Sequence, residues 1–96
     1  MACYVSAKAD DDLDDIWFYI ASESDSPERA DRQIAAITDR FYLLAEYPFL
    51  GRSRPDLRAD LRSLPVGNYV IIYKIDAVDV TILHVFPAMR DIANLT

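Results

Sequence analysis

The stretch from Asp60 to Pro87, DLRSLPVGNYVIIYKIDAVDVTILHVFP, limits what this chain can become more than any other. Three runs of branched and aromatic residues follow one another: Leu61 to Leu64, Tyr69 to Ile75 and Val78 to Phe86. Such side chains fit a pleated surface. Only Pro65-Val66-Gly67-Asn68 and a break near Asp76-Ala77 separate the runs, and gaps this short suit antiparallel neighbours. The stretch predicts a three-stranded meander. Side chains alternate across a strand, so Tyr69, Ile71, Tyr73 and Ile75 point one way and Val70 and Ile72 the other. On the last strand Val80, Ile82, His84 and Phe86 are expected to share one face, with Leu83 and Val85 opposite. Both faces are then apolar, whereas a half-solvated antiparallel sheet alternates apolar with polar. Each face needs a cover.

The preceding residues supply one. Cys3 to Val5 is a short β-prone run. Ser6 is placed to cap a helix starting at Ala7. Ala9, Leu13, Ile16, Trp17 and Ile20 fall at helical spacing and form one apolar stripe. Asp11, Asp12, Asp14 and Asp15 are expected mainly on the solvated side. Ser26-Pro27 restarts a helix with a cap residue and a proline at the first position. Ala30, Ile34, Ile37, Phe41 and Leu44 continue it as a long amphipathic element that ends before Pro48. Pro48 to Pro55 reads as a loop and Met89 to Thr96 as a polar tail.

The element order is β-α-α-β-β-β. The expected fold class is α+β, a single domain over residues 1–96. A helical hairpin packs on one face of a small, mainly antiparallel sheet. Nothing is left for the other face, which is expected to meet a second copy or another chain, because large apolar patches mark interaction sites.

Composition narrows the function. No apolar run is long enough to span a bilayer, and the first ten residues show no leader pattern, so no membrane role is expected. One cysteine fits a reducing, cytoplasmic setting, and one cysteine with one histidine cannot make the usual zinc site. The net charge of −6 is unevenly spread, since residues 1–28 hold eight acids against Lys8. Nucleic-acid affinity comes mostly from neutralised phosphates, so direct binding is not expected of such a chain. Arg52, Arg54, Arg58 and Arg62 nevertheless fall close together and suit an acidic partner.

Catalytic signals are few. His84 is the only histidine, and a lone histidine on an apolar strand is not a catalytic constellation. The consecutive carboxylates Asp10 to Asp15 point in different directions from a helix and do not form a metal site. Trp17 belongs to the core stripe. Glycine-rich phosphate loops, nucleophile elbows and paired-cysteine motifs are missing from the sequence. Neither a catalytic set nor a cofactor is expected. Arg62 and Arg90 could converge at one end of the sheet as an anion-binding pair, or serve structure alone.

Five stretches together resemble the ParE-type toxins of the RelE/ParE superfamily. They are Ser6-x-x-Ala9 with Asp12-Leu13-x-x-Ile16-Trp17 and Tyr19-Ile20; Pro48-x-x-Gly51-Arg52; Leu61-Arg62-Ser63; Tyr69-Val70-Ile71-Ile72-Tyr73; and Val80-x-Ile82-Leu83-x-Val85, running into Arg90-Asp91. The resemblance implies the same element order. It also implies the toxin of a type II toxin–antitoxin module that acts on DNA gyrase without being an enzyme. A ParD-like antitoxin would neutralise it by wrapping its C-terminal segment around the toxin in a hetero-oligomer. The superfamily's other branch cleaves messenger RNA on the ribosome, and a member that only binds its antitoxin is a third reading. The chain departs from the family where a His-Gly pair commonly precedes the arginine; here Pro87-Ala88 stands instead, and no tyrosine follows Phe86. The acidic charge and that missing tyrosine disfavour RNA cleavage. The expected antitoxin surface is the uncovered sheet face: Val80, Ile82, His84 and Phe86, rimmed by Arg58, Arg62 and Arg90.

Overall fold

The computed structural model describes residues 2–77 and 79–89. Strand β1 (Cys3–Val5) leads into α1 (Ala7–Ser24) and α2 (Pro27–Glu46). Then come β2 (Arg52–Ser53), β3 (Leu61–Val66), β4 (Tyr69–Asp76) and β5 (Asp79–Pro87). The five strands form one sheet in the order β1-β5-β4-β3-β2. Pairing is antiparallel throughout except between β1 and β5, which run parallel. The expected α+β architecture is therefore present, with β2 an added strand inside the stretch read as a loop.

Both helices begin as their sequences dictate. The Ser6 hydroxyl accepts from the Ala9 N–H at 3.0 Å, and the Ser26 hydroxyl accepts from the Arg29 N–H at 3.2 Å. α1 stops at Asp25, which takes the left-handed φ of 53° common just past a helix end. The Trp17 indole N–H donates to Asp31 at 2.7 Å and ties α1 to α2.

The hairpin covers one face of the sheet. Ala9, Leu13, Ile16, Ile37, Phe41 and Leu44 pack against Tyr69, Ile71, Tyr73, Val80, Ile82 and Val85. β3 continues through Pro65 and Val66, beyond the expected end at Leu64. Hydrogen-bonded partners alternate along β3, and the Leu61 carbonyl accepts from Arg54 on the β2 side. Pro65 therefore also faces away from β4, where its missing N–H costs the β3–β4 ladder nothing. The two-residue turn that follows opens on Gly67 at φ 57°, the positive φ that primed hairpin turns require.

The second face is not vacant, contrary to expectation. Leu61, Val70, Ile72 and Phe86 are buried there, with Leu57 and Leu83 packed against them. Leu57 comes from a compact turn after β2, held by Arg54 N–H to Leu61 carbonyl at 2.8 Å and Leu57 N–H to Arg54 carbonyl at 3.0 Å. The Arg54 guanidinium joins it, reaching the Ser63 hydroxyl at 3.4 Å and Asp56 at 2.7 Å. Leu57, from between the expected loop and β3, thus helps close part of the sheet.

Candidate partner-binding surface

A single extra residue redistributes the expected contact set. β4 and β5 pair from Tyr69 opposite Pro87 to Ile72 opposite His84, then resume with Tyr73 opposite Ile82. Leu83 is the bulged residue. A bulge places two residues against one and reverses the alternation beyond it. Val80 and Ile82 consequently face the helices and are fully buried in that core. Their expected place beside His84 and Phe86 is corrected. Phe86 lies on the second face, and His84, half-buried, stands opposite Ile72 on the same side.

The arginines do not form one rim. Arg58 is exposed and meets Asp60 at 3.3 Å. Arg62 faces the helix side, opposite Tyr73, and so lies across the sheet from His84. Its guanidinium donates to the Gly51 carbonyl at 2.6 and 3.1 Å and to the Phe49 carbonyl at 3.4 Å. It also lies 5.2 Å from the centre of the Phe49 ring. Arg90 lies outside the described residues, as does most of the expected tail.

The helix start is fastened to the bulge. β1 ends at Val5, opposite Ile82, so among the described residues the outer edge of β5 has no strand neighbour beyond that point. α1 takes over. The Ser6 N–H donates to the Ile82 carbonyl at 2.9 Å, and the Ser6 hydroxyl donates to the Leu83 carbonyl at 3.1 Å. Further along, the Asp12 carboxylate accepts from the Val85 N–H at 3.0 Å and pairs with Lys8. Asp12 is buried, not solvated as expected for the acid run. Its spacing from Ala9 and Ile16 already put it on the buried stripe.

A groove of about 720 Å³ runs beside this edge. Ile16 and Tyr19 of α1 form one wall, and Val85, Phe86 and Met89 form the other. Asp12 and Asp15 place carboxylates along it, and Tyr69 lies at its floor. Burial pushes the Tyr69 phenol up from its ordinary value, and neighbouring Tyr19 adds to the shift. Tyr19 and Met89 are largely exposed, so the groove offers apolar surface beside negative charge. Sequence reasoning missed this site because it treated the sheet as two flat faces and overlooked the edge where β1 stops.

A second feature lies between α2 and β2. The Tyr73 hydroxyl, inside the core, accepts from the Gly51 N–H at 2.9 Å and donates to the Pro48 carbonyl at 2.8 Å. A Cβ at Gly51 would stand 2.6 Å from both the Ser63 carbonyl oxygen and the Tyr73 hydroxyl, so only glycine fits. Tyr73 and its cross-strand neighbour Arg62 hold the loop together, the one at Pro48 and Gly51, the other at Phe49 and Gly51. Its tip carries Phe49 at 71% exposure and Leu50 at 49%.

Among the described residues, no group of three histidine, cysteine or acidic side chains is arranged to hold a metal. The Cys3 thiol is raised above its ordinary value by burial, which favours the protonated form. The Arg54 hydrogen bond holds the Asp56 carboxyl below the usual range. Neither lines the groove beside β5.

Residues 4–92 match a family described as the ParE toxin of the type II toxin-antitoxin system, parDE. Toxin ParE3 of Caulobacter vibrioides is 33% identical over 82 residues, covering 85% of this chain and 81% of that protein. Toxin ParE1 of the same organism is 34% identical over 73 residues, covering 74% and 73%. Among solved structures, a chain of the chromosomal ParDE TA system from P. aeruginosa superposes with a TM-score of 0.80. It is 21% identical and covers 91% of this chain and 95% of that one, a likeness of fold.

Proposed function

Because this chain belongs to the ParE toxin family of type II toxin–antitoxin systems, we propose that it stops growth by binding DNA gyrase and that a ParD-like antitoxin holds it inactive. Family membership over nearly the whole chain carries this reading. It acts by occupying its target rather than by chemistry, in the cytoplasm, and is stored as a hetero-oligomer with the antitoxin.

The antitoxin segment lodges in the groove between α1 and the outer edge of β5. The groove supports this role because it offers exposed Tyr19 and Met89 together with Ile16, Val85 and Phe86. Ile16, Val85 and Phe86 are already buried, so the gain comes from covering Tyr19 and Met89, about 1.5–3 kcal/mol each. Among the described residues, Phe86 is the one member of the expected contact set that lines it. Supercoiling by purified gyrase, with the chain alone and with its antitoxin, tests the proposal. Inhibition by the chain and relief by the antitoxin are expected. Undiminished supercoiling at saturating toxin refutes the gyrase assignment, and discrete cuts in ribosome-bound messages would move the chain to the nuclease branch.

A further inference from the structure

The pinned loop between α2 and β2 presents apolar side chains outward at a fixed position. Tyr73, Gly51 and Arg62 together hold it through five hydrogen bonds from the core and from β3. Such fixing lowers the ordering cost of docking, because the loop is already in one conformation. Its tip, Phe49 and Leu50, projects into solvent. Beside Leu50 lies a hollow of about 420 Å³ floored by Leu64, Pro65 and Val70, with Arg52 at its rim. A convex aromatic tip next to a shallow hollow matches a folded surface that has a socket and a ridge. It does not match a peptide that wraps in extended form. Strand addition is also blocked at this edge, since the outward position after Ser63 is Pro65, which has no N–H to donate.

We propose that the Phe49-Leu50 tip is the surface by which this toxin docks onto its folded protein target, seating in an apolar socket that has a carboxylate at its rim. The inference rests on the toxin reading above and assigns the antitoxin a different place, the groove along β5. The carboxylate follows from charge. Arg54 is paired with Asp56, Arg58 with Asp60, and Arg62 is held by loop carbonyls. Arg52 is exposed and makes no ion pair among the described residues. A basic tip on an acidic protein selects an oppositely charged rim and speeds encounter with it.

The test uses the full chain carrying Phe49→Ser with Leu50→Ser, and separately Arg52→Glu. Binding to purified gyrase and to the antitoxin is measured for each, along with growth arrest on expression without antitoxin. The double variant is expected to lose about tenfold or more in gyrase affinity, as the loss of central apolar anchors does, and Arg52→Glu as much because it sets like charge against like. Antitoxin affinity is expected to stay within about threefold, a change smaller than 1 kcal/mol. Should the double variant fail to fold, Arg52→Glu decides alone. Unchanged gyrase affinity overturns the proposal, and so does a parallel loss of antitoxin affinity. If the unaltered chain arrests growth without binding gyrase, the gyrase assignment falls separately. Growth arrest then decides for the tip: variants that remain fully toxic overturn it, and non-toxic variants that still bind antitoxin uphold it. An unaltered chain that neither arrests growth nor binds gyrase overturns it as well.

Discussion

The Tyr73 hydroxyl accepts a 2.9 Å hydrogen bond from the amide of Gly51, 22 residues earlier in the chain. A buried phenol is thereby committed to a loop backbone, with the Pro48 carbonyl as its second partner. Tyr73→Phe leaves the Gly51 N–H and the Pro48 carbonyl without this partner. The expected cost is about 1–3 kcal/mol in denaturant unfolding. Gly51→Ala should cost more than Tyr73→Phe, since its Cβ meets a backbone oxygen that cannot turn aside. An Ala variant as stable as the unaltered chain would show that the loop is held elsewhere.

Asp12 acts as a surrogate strand neighbour for β5. Asp12→Ala strands the Val85 N–H in a buried setting and should destabilise by about 1–3 kcal/mol. Asp12→Asn keeps an acceptor oxygen and should cost less. Hydrogen exchange at the Val85 amide should quicken in the Ala variant well before global unfolding; equal protection in both variants would remove the carboxylate from this role.

Ile82→Asp places a charge in the helix-covered core, where nothing pairs with it among the described residues. It should abolish cooperative folding, so its failure to bind antitoxin would say nothing about contact. Tyr19→Ala removes an exposed wall of the groove. It should fold normally and weaken antitoxin binding by about tenfold or more, the cost of losing one central aromatic. Calorimetric titration separates the two, and an unaltered affinity for the Tyr19 variant would move the antitoxin off the groove.

Cys3 should react slowly with thiolate-selective reagents near pH 8, because burial raises its thiol and keeps it protonated. With the folded value above the unfolded one, the cysteine favours the native state below the unfolded value, and that contribution is lost as pH rises through the folded value. Denaturant should speed labelling. Equally fast labelling of native and unfolded protein would contradict the burial of the thiol.

Much of the fold was legible because local signals agreed. Ser6 and Ser26-Pro27 fixed both helix starts, and the apolar spacing of α2 fixed its buried face. The meander followed from branched residues and short turns. What failed was everything set by a single non-local event. Period-two alternation carried Val80 and Ile82 to the wrong face because no residue near Leu83 announces a bulge. Arg62 looked free because its acceptors, the carbonyls of Phe49 and Gly51, leave no mark in a sequence. Leu57 fell between the expected loop and the first meander strand and drew no reading, because burial of the second face depends on how a short turn folds back. Asp12 was the avoidable error, since its helical spacing already matched Ala9 and Ile16.

The parallel pairing of β1 with β5 bears on how the molecule is made. Residue 3 lies beside residue 80, so β1 must wait for β5 before it has a neighbour. During synthesis the helical hairpin emerges early and can form from local contacts. The sheet face it needs does not exist until β5 has left the ribosome. Closing so long a stretch of chain is entropically slow. A nascent chain would therefore pass through a stage with exposed helix stripes and no completed groove. Toxicity and neutralisation would both wait on the emergence of β5, because neither surface is complete before it pairs.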